Sequence, residues 1–220
     1  MKMLIRGLLA ALSFALLATT ALAAGYTEGK EYKALANPQP TSSGDKIEIV
    51  ELFWYGCPHC YRLEPDMEPW LANKPDDVAF IRMPAIVGPP WELLAKAYYT
   101  AEFLGVMDTM HPALFDYLHK DKKKITNEAE LQDFFVSQGV SREDFKNTYM
   151  SFAVAMKVNN ARLMTKRYGI TGVPTIIVNG KYNTSGSLAG SNENIIKVMD
   201  YLVNQERQSA AATTTTTATQ

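Results

Sequence analysis

The sequence predicts an α/β fold, one sheet covered by helices, with an all-helical domain inserted into it. Three observations predict this. A run rich in Ile, Val and aromatics at 46–55 leads straight into Cys57-Pro58-His59-Cys60, a strand followed by a helix. The middle of the chain, from about 87 to 168, carries only helical periodicity. Sheet character then returns at 173–178, followed by the two-residue turn Asn179-Gly180.

The first residues read as a secretory signal. Lys2 and Arg6 make a positive start, 8–17 is apolar, and Ala21-Leu22-Ala23 is a small-residue cleavage site. The apolar stretch is too short to span a bilayer. Residues 1–23 are therefore expected to be removed, with cleavage after Ala23 or one residue later. The expected destination is the periplasm, an oxidising space. Neither cysteine lies at the cleavage site, which argues against a lipid-modified N-terminus.

The sheet domain is expected in two parts, 24–86 and 161–208, around a helical insert at 87–160. In the first part, 26–44 is polar and proline-bearing; it should wrap the surface and offer an edge strand. The strand at 46–55 follows. A helix opens at Pro58 and reaches about Asn73, with Pro65 and Pro69 expected to kink or break it. A second strand covers 77–83, apolar at Val78, Phe80 and Met83. A strand-helix-strand unit of this size implies parallel pairing with a right-handed crossover.

Within the insert, Trp91, Leu94, Ala95 and Tyr98 mark one helix face. Met107, Met110, Leu114, Phe115 and Leu118 mark the next, with Pro112 kinking or starting that helix. Asn127 with Glu130 resembles a capping box ahead of Leu131, Phe134 and Phe135, and Gly139 ends the helix. Ser141 caps another, whose expected buried stripe is Phe145, Tyr149, Phe152 and Met156. Gly169 stops the last helix of this stretch. In the second part, 181–183 begins a return strand and Ser191 or Asn192 caps a final helix to about Arg207. The Ala/Thr-rich tail, 209–220, is expected to be disordered.

Composition bounds the function. A net charge of −1 over 220 residues argues against nucleic acid as a partner. With 47% apolar residues the chain builds a core without stapling disulfides, so its two cysteines are not needed as scaffold. Their placement gives them chemistry instead. Free backbone N–H groups and the helix dipole at a helix start favour a thiolate. Cys57 is the expected nucleophile, and Cys60, one turn further in, the resolving thiol. Pro58 and His59 fill the space between them, and His59 adds to thiolate stabilisation. Cysteines in this setting ionise between about 3.5 and 7.5. Each unit below neutral stabilises the reduced form by about 1.4 kcal/mol, or roughly 30 mV of oxidising power. A value near 4 would contribute about 4 kcal/mol.

Other uses of the pair fit less well. A static disulfide closing so short a loop stabilises little. Zinc wants four ligands, and only His111 and His119 could join Cys57, His59 and Cys60. Haem attachment needs histidine after the second cysteine, where Tyr61 stands.

Two further elements belong to the expected site. Gly172-Val173-Pro174-Thr175 places a proline at a strand start, and beside a redox pair a cis Val173–Pro174 bond is expected. Such a bond would leave Val173 backbone groups free for an extended substrate and keep metals off the thiols. Val173 and Thr175 are the expected substrate-binding residues. Glu51 lies within an apolar strand, and alternation leaves open whether it is exposed or buried. If buried, its raised pKa would let it take a proton when the resolving thiol attacks, with Arg82 as a neighbour. His111 and His119 read as helix-surface or capping groups, 120–124 as a solvated lysine-rich helix end, and the methionines as core. Phe53, Trp54 and Tyr55 read mostly as core.

Taken together, Phe53-Trp54-Tyr55-Gly56-Cys57-Pro58-His59-Cys60-Tyr61, Gly172-Val173-Pro174-Thr175 and Val178-Asn179-Gly180-Lys181-Tyr182 resemble the DsbA family of bacterial periplasmic thiol:disulfide interchange proteins, over nearly the whole mature length. The Pro-His dipeptide is the specific part. The resemblance implies a thioredoxin-like fold with an inserted all-helical domain. It implies that the Cys57–Cys60 disulfide passes to reduced, unfolded exported proteins through a mixed disulfide at Cys57. It also implies a quinone-linked inner-membrane reoxidase of the DsbB kind. Glu51 matches the family's buried acid, and Arg82 falls where some relatives carry lysine. An arginine does not release its proton, which puts a shuttle role there in doubt. A strongly oxidising couple with a very low thiolate pKa is a property of the family itself, not something these residues derive. The Thr-rich tail is no part of the pattern. No cofactor is implied, and a monomer is expected. The main alternative is a disulfide isomerase or reductase on the same fold; a glutathione-dependent enzyme and a binding module are further ones.

Overall fold

The structure, a computed structural model, describes residues 25–217, so the expected signal segment 1–23 lies outside the described residues. Five strands form one sheet in the order β1-β5-β4-β2-β3. β2 (Ile47–Phe53) sits near the middle and is buried along almost its whole length. It pairs parallel with β3 (Val78–Pro84) and antiparallel with β4 (Thr175–Val178). β5 (Tyr182–Ser185) returns antiparallel to β4, and the short β1 (Lys33–Ala34) pairs with β5 as the expected edge strand.

The β4–β5 turn follows from its two residues. Asn179 and Gly180 both have positive φ, 50° and 63°, which a right-twisted two-residue hairpin requires. Gly180 is fixed a second way, because any Cβ there would collide with the backbone carbonyl of Gln39. Gln39 N–H in turn donates to the Gly180 carbonyl at 2.8 Å, tying the N-terminal segment to the turn.

α1 (Pro58–Ala72) connects β2 to β3. Pro58 sits in its first turn, where the missing N–H costs nothing. Pro65 and Pro69 do not break it. The helical insert comprises α2 (Pro89–Leu104), α3 (Met107–His119), α4 (Glu128–Ser137), α5 (Arg142–Tyr149) and α6 (Phe152–Arg167). Asn127, Ser141 and Ser151 cap α4, α5 and α6, each side chain accepting the N–H three residues on. Pro112 lies inside α3 rather than starting it. α7 (Gly186–Ala189) and α8 (Asn192–Thr217) close the chain's order, and α8 lies against the sheet and α1.

Three expectations need correction. The stripe Phe145-Tyr149-Phe152-Met156 does not exist as one face, because the helix ends at Tyr149 and Ser151 starts another. Phe152 is 80% exposed and Met156 51%, while Val154, Val158, Ala161 and Thr165 are buried instead. The insert does not end at 160: α6 runs unbroken through that position to Arg167. The last helix does not stop near Arg207 with a disordered tail beyond; α8 continues through 209–217. Alanine is the strongest helix former, and extending an existing helix avoids the cost of nucleation.

Two apolar clusters matter for the site. One joins Ile49, Leu63, Met67, Ile176, Val198 and Leu202 between sheet, α1 and α8. The other joins Phe53, Tyr55, Cys57 and Cys60 to the insert's helices. The chain's entry to the insert and its exit are also tied, Ile86 N–H donating to Thr165 Oγ1 at 3.1 Å.

Candidate redox site

β2 delivers the chain to the site, and a short turn reverses it into α1, with Cys57 N–H donating to the Trp54 carbonyl at 2.9 Å. Trp54 stacks on Trp91 of α2, ring centroids 4.4 Å apart. Its indole lies over Gly56 so closely that any Cβ there would collide with it. Cys57 then takes the N-cap position of α1 in extended conformation and uses no side-chain acceptor of its own.

The two thiols have different surroundings. Cys57 is 8% exposed and Cys60 fully buried, and both are free. The Cys57 thiol is pulled down to about 6, chiefly by the hydrogen bond from Cys60. Burial opposes this, while the backbone N–H groups of Cys60 and His59 and the nearby His59 ring assist it. Burial pushes the Cys60 thiol far up, and adjacent Cys57 and the charge of Glu51 push it further.

The cis Val173–Pro174 bond is present, and Cys57 Sγ lies 3.4 Å from the Val173 carbonyl oxygen. A groove of about 500 Å³ runs alongside, lined by His59, Gly172, Val173, Pro174, Ser187 and Asn192. His59 is exposed at its edge, the preceding Pro58 is exposed as well, and Arg62 donates to His59 Nδ1 at 2.9 Å. Thr175 is placed differently from Val173. It is buried, its hydroxyl donates to the Gly172 carbonyl at 2.8 Å, and its strand pairs with both β2 and β5. Thr175 thus braces the proline loop while also lining the groove beside Val173.

Glu51 is fully buried. Strand register sets it directly beside Arg82. Arg82 Nε donates to Glu51 at 3.1 Å, and its Nη2 donates to Glu64 on α1 at 2.7 Å. Burial raises Glu51 to about 7, the charge of Glu64 adds to this, and Arg82 opposes it. One guanidinium thus serves two carboxylates, and Glu51 Oε1 has no hydrogen-bond partner among the described residues.

Sequence reasoning missed Glu64 and misread two histidines. Cys60 and Glu64 are four apart, so they share a helix face with Met67; that spacing was the available signal. His111 is not on the surface: it is buried against Phe53, Tyr55 and Phe115. His119 is half-buried and stacks on Tyr61, centroids 5.0 Å apart. Among the described residues no three His, Cys, Asp or Glu side chains gather as a metal-binding group.

A family model for the DSBA-like thioredoxin domain matches residues 84–193. A curated relative, the thiol:disulfide interchange protein DsbA of Pseudomonas aeruginosa, is 45% identical over 185 residues, covering 84% of this chain and 88% of that one. The chain belongs to the DsbA family. It is a thiol:disulfide oxidoreductase with the DsbA-like thioredoxin fold expected from sequence. The DsbA of Burkholderia cepacia is 36% identical, covering 93% of this chain and 97% of its own. The crystal structure of Pseudomonas aeruginosa DsbA superposes with a TM-score of 0.81 at 44% identity, covering 86% of this chain and 98% of that one.

Proposed function

We propose that this DsbA-family protein is an oxidase of newly exported polypeptides, working in the periplasm after loss of residues 1–23. The observation that carries the reading is the split between its thiols: Cys57 drawn down to about 6 while Cys60 is pushed up. A client thiolate attacks Cys57 Sγ of the oxidised protein. The Cys57–Cys60 bond breaks, its electron pair goes to Cys60, and Cys60 takes up a proton. The client's second thiolate then attacks the mixed disulfide, and Cys57 leaves as a thiolate. Two electrons have passed from client to protein.

The Val173 carbonyl and N–H, beside the cis bond, pair with the extended client, and His59 and Pro58 form the rim it crosses. Glu51 exchanges the proton of Cys60. Arg82 orients Glu51 and does not shuttle, since its own proton stays. Two electrons then leave to a quinone-linked inner-membrane reoxidase of the DsbB kind, and the protein acts as a monomer without a cofactor. No helix among the described residues is long and apolar enough to cross a membrane.

The sign of the Cys57 shift gives the direction of chemistry. Its thiolate stabilises the reduced form above about pH 6, and that advantage fades as pH falls through 6. At neutral pH one unit of depression supplies about 30 mV of oxidising power. Equilibration with glutathione measures the outcome. A couple well above the cytosolic glutathione poise is expected; one near the potentials of cytosolic thioredoxins would instead make this a reductase or isomerase.

A further inference from the structure

α3 carries His111, Phe115 and His119 at intervals of four, a single stripe along the helix. The stripe meets Tyr55, two residues before Cys57. His111 Nδ1 lies 2.7 Å from the Tyr55 hydroxyl. The Phe115 ring stands edge-on to Tyr55, centroids 4.8 Å apart. His119 Nε2 lies 2.7 Å from the Tyr55 backbone carbonyl oxygen. One helix of the insert therefore holds a single residue by its side chain and by its backbone.

Chemistry fixes the protons. A carbonyl oxygen only accepts, so His119 Nε2 carries hydrogen and donates. Burial pushes the Tyr55 phenol well up, and its hydroxyl keeps its hydrogen. Burial also pushes His111 down, leaving it neutral with one ring hydrogen. Glu64 Oε1 stands 3.4 Å from His111 Nε2. The two atoms make no hydrogen bond, but the carboxylate's charge favours the ring hydrogen on the nearby Nε2, which leaves Nδ1 to accept from Tyr55. The groups facing this pair are Glu64 from α1, Arg82 from β3, Tyr98 from α2, and Tyr61 stacked on His119.

We propose that His111 and His119 are positioning residues that clamp Tyr55 and so fix the turn by which Cys57 enters α1. The proposal rests on Cys57 being the sulfur that exchanges with the client and leaves as a thiolate. The backbone N–H groups of His59 and Cys60 lie close enough to the Cys57 sulfur to lower its ionisation, an influence that fades as they turn away. A Tyr55 free to shift turns those donors away and makes the thiolate less favourable. Redox chemistry in the sheet domain is thus set partly by the inserted lobe.

Ultraviolet thiolate absorbance against pH tests this in His119→Leu, His119→Gln and Tyr55→Phe. In His119→Leu the ionisation of Cys57 should rise from about 6 by about one unit, the size of one hydrogen bond. Tyr55→Phe should raise it by less. His119→Gln, whose amide N–H still reaches the carbonyl, should recover most of the loss. Titrations of His119→Leu and Tyr55→Phe that superpose on the parent overturn the clamp. So does an equal shift in His119→Leu and His119→Gln, because volume rather than the donor would then be responsible. If His119→Leu fails to fold, Tyr55→Phe decides, since it loses only one oxygen. A Cys57→Ser protein that still oxidises clients overturns the assignment of Cys57 as the exchanging sulfur instead, so the two failures are told apart.

Discussion

The first turn of α1 has two sides with opposite chemistry. Outward, Pro58 and His59 are exposed beside a groove, and Cys57 rests against the Val173 carbonyl. Inward, Cys60 is sealed among apolar side chains, with buried Glu51 and its half-buried partners Arg82 and Glu64 behind it. The sulfurs are three residues apart, yet one ionises readily and the other resists. The outer sulfur is drawn down chiefly by the hydrogen bond from Cys60, with the helix-end N–H groups assisting, and desolvation falls mainly on the inner one. Redox bias here is a matter of which side of a helix a thiol faces.

The largest test of that contrast exchanges each sulfur for oxygen. Cys57→Ser should abolish oxidation of a reduced, unfolded test protein. Cys60→Ser should instead accumulate mixed disulfides, visible on non-reducing gels. If both variants behaved alike, the two sides would not differ in role. A smaller effect is expected at the rim. His59→Ala should raise the Cys57 ionisation by about one unit and weaken the oxidant correspondingly, read by thiolate absorbance. An unmoved titration would leave the helix end and Cys60 as the whole cause. The smallest effect concerns the inner side. Glu51 binds its proton more tightly folded than unfolded, so it makes stability fall as pH rises from about 4.5 to about 7. Glu51→Gln should flatten that part of the stability–pH curve, measured by denaturant unfolding. A slope that persists would place its source elsewhere.

Much of this was legible in the chain because the signals were local. Asn179-Gly180, the Asn127 and Ser141 caps, and the strand-to-helix entry at Cys57 each act within a few residues. The failures were relational. Ser151 restarts a helix and rotates Phe152 and Met156 into solvent, which periodicity alone does not register. Glu51 sat on an undecided face, and the question dissolves because β2 is buried on both faces from Glu48 to Phe53. His111 and His119 looked like surface groups because their partner, Tyr55, is distant in sequence. A buried polar residue is recognised by what closes over it, and that information is spread along the chain.

The hydrogen bond from Ile86 to Thr165 brings the insert's two stems together. Seen as a thread, the insert is a side-loop that a splice near those positions would excise, leaving the sheet's path uninterrupted. Seen as a surface, excision is forbidden, because it would wet Phe53, Tyr55 and the inner sulfur. Any recombination that keeps the activity must therefore carry lobe and thiols as one piece.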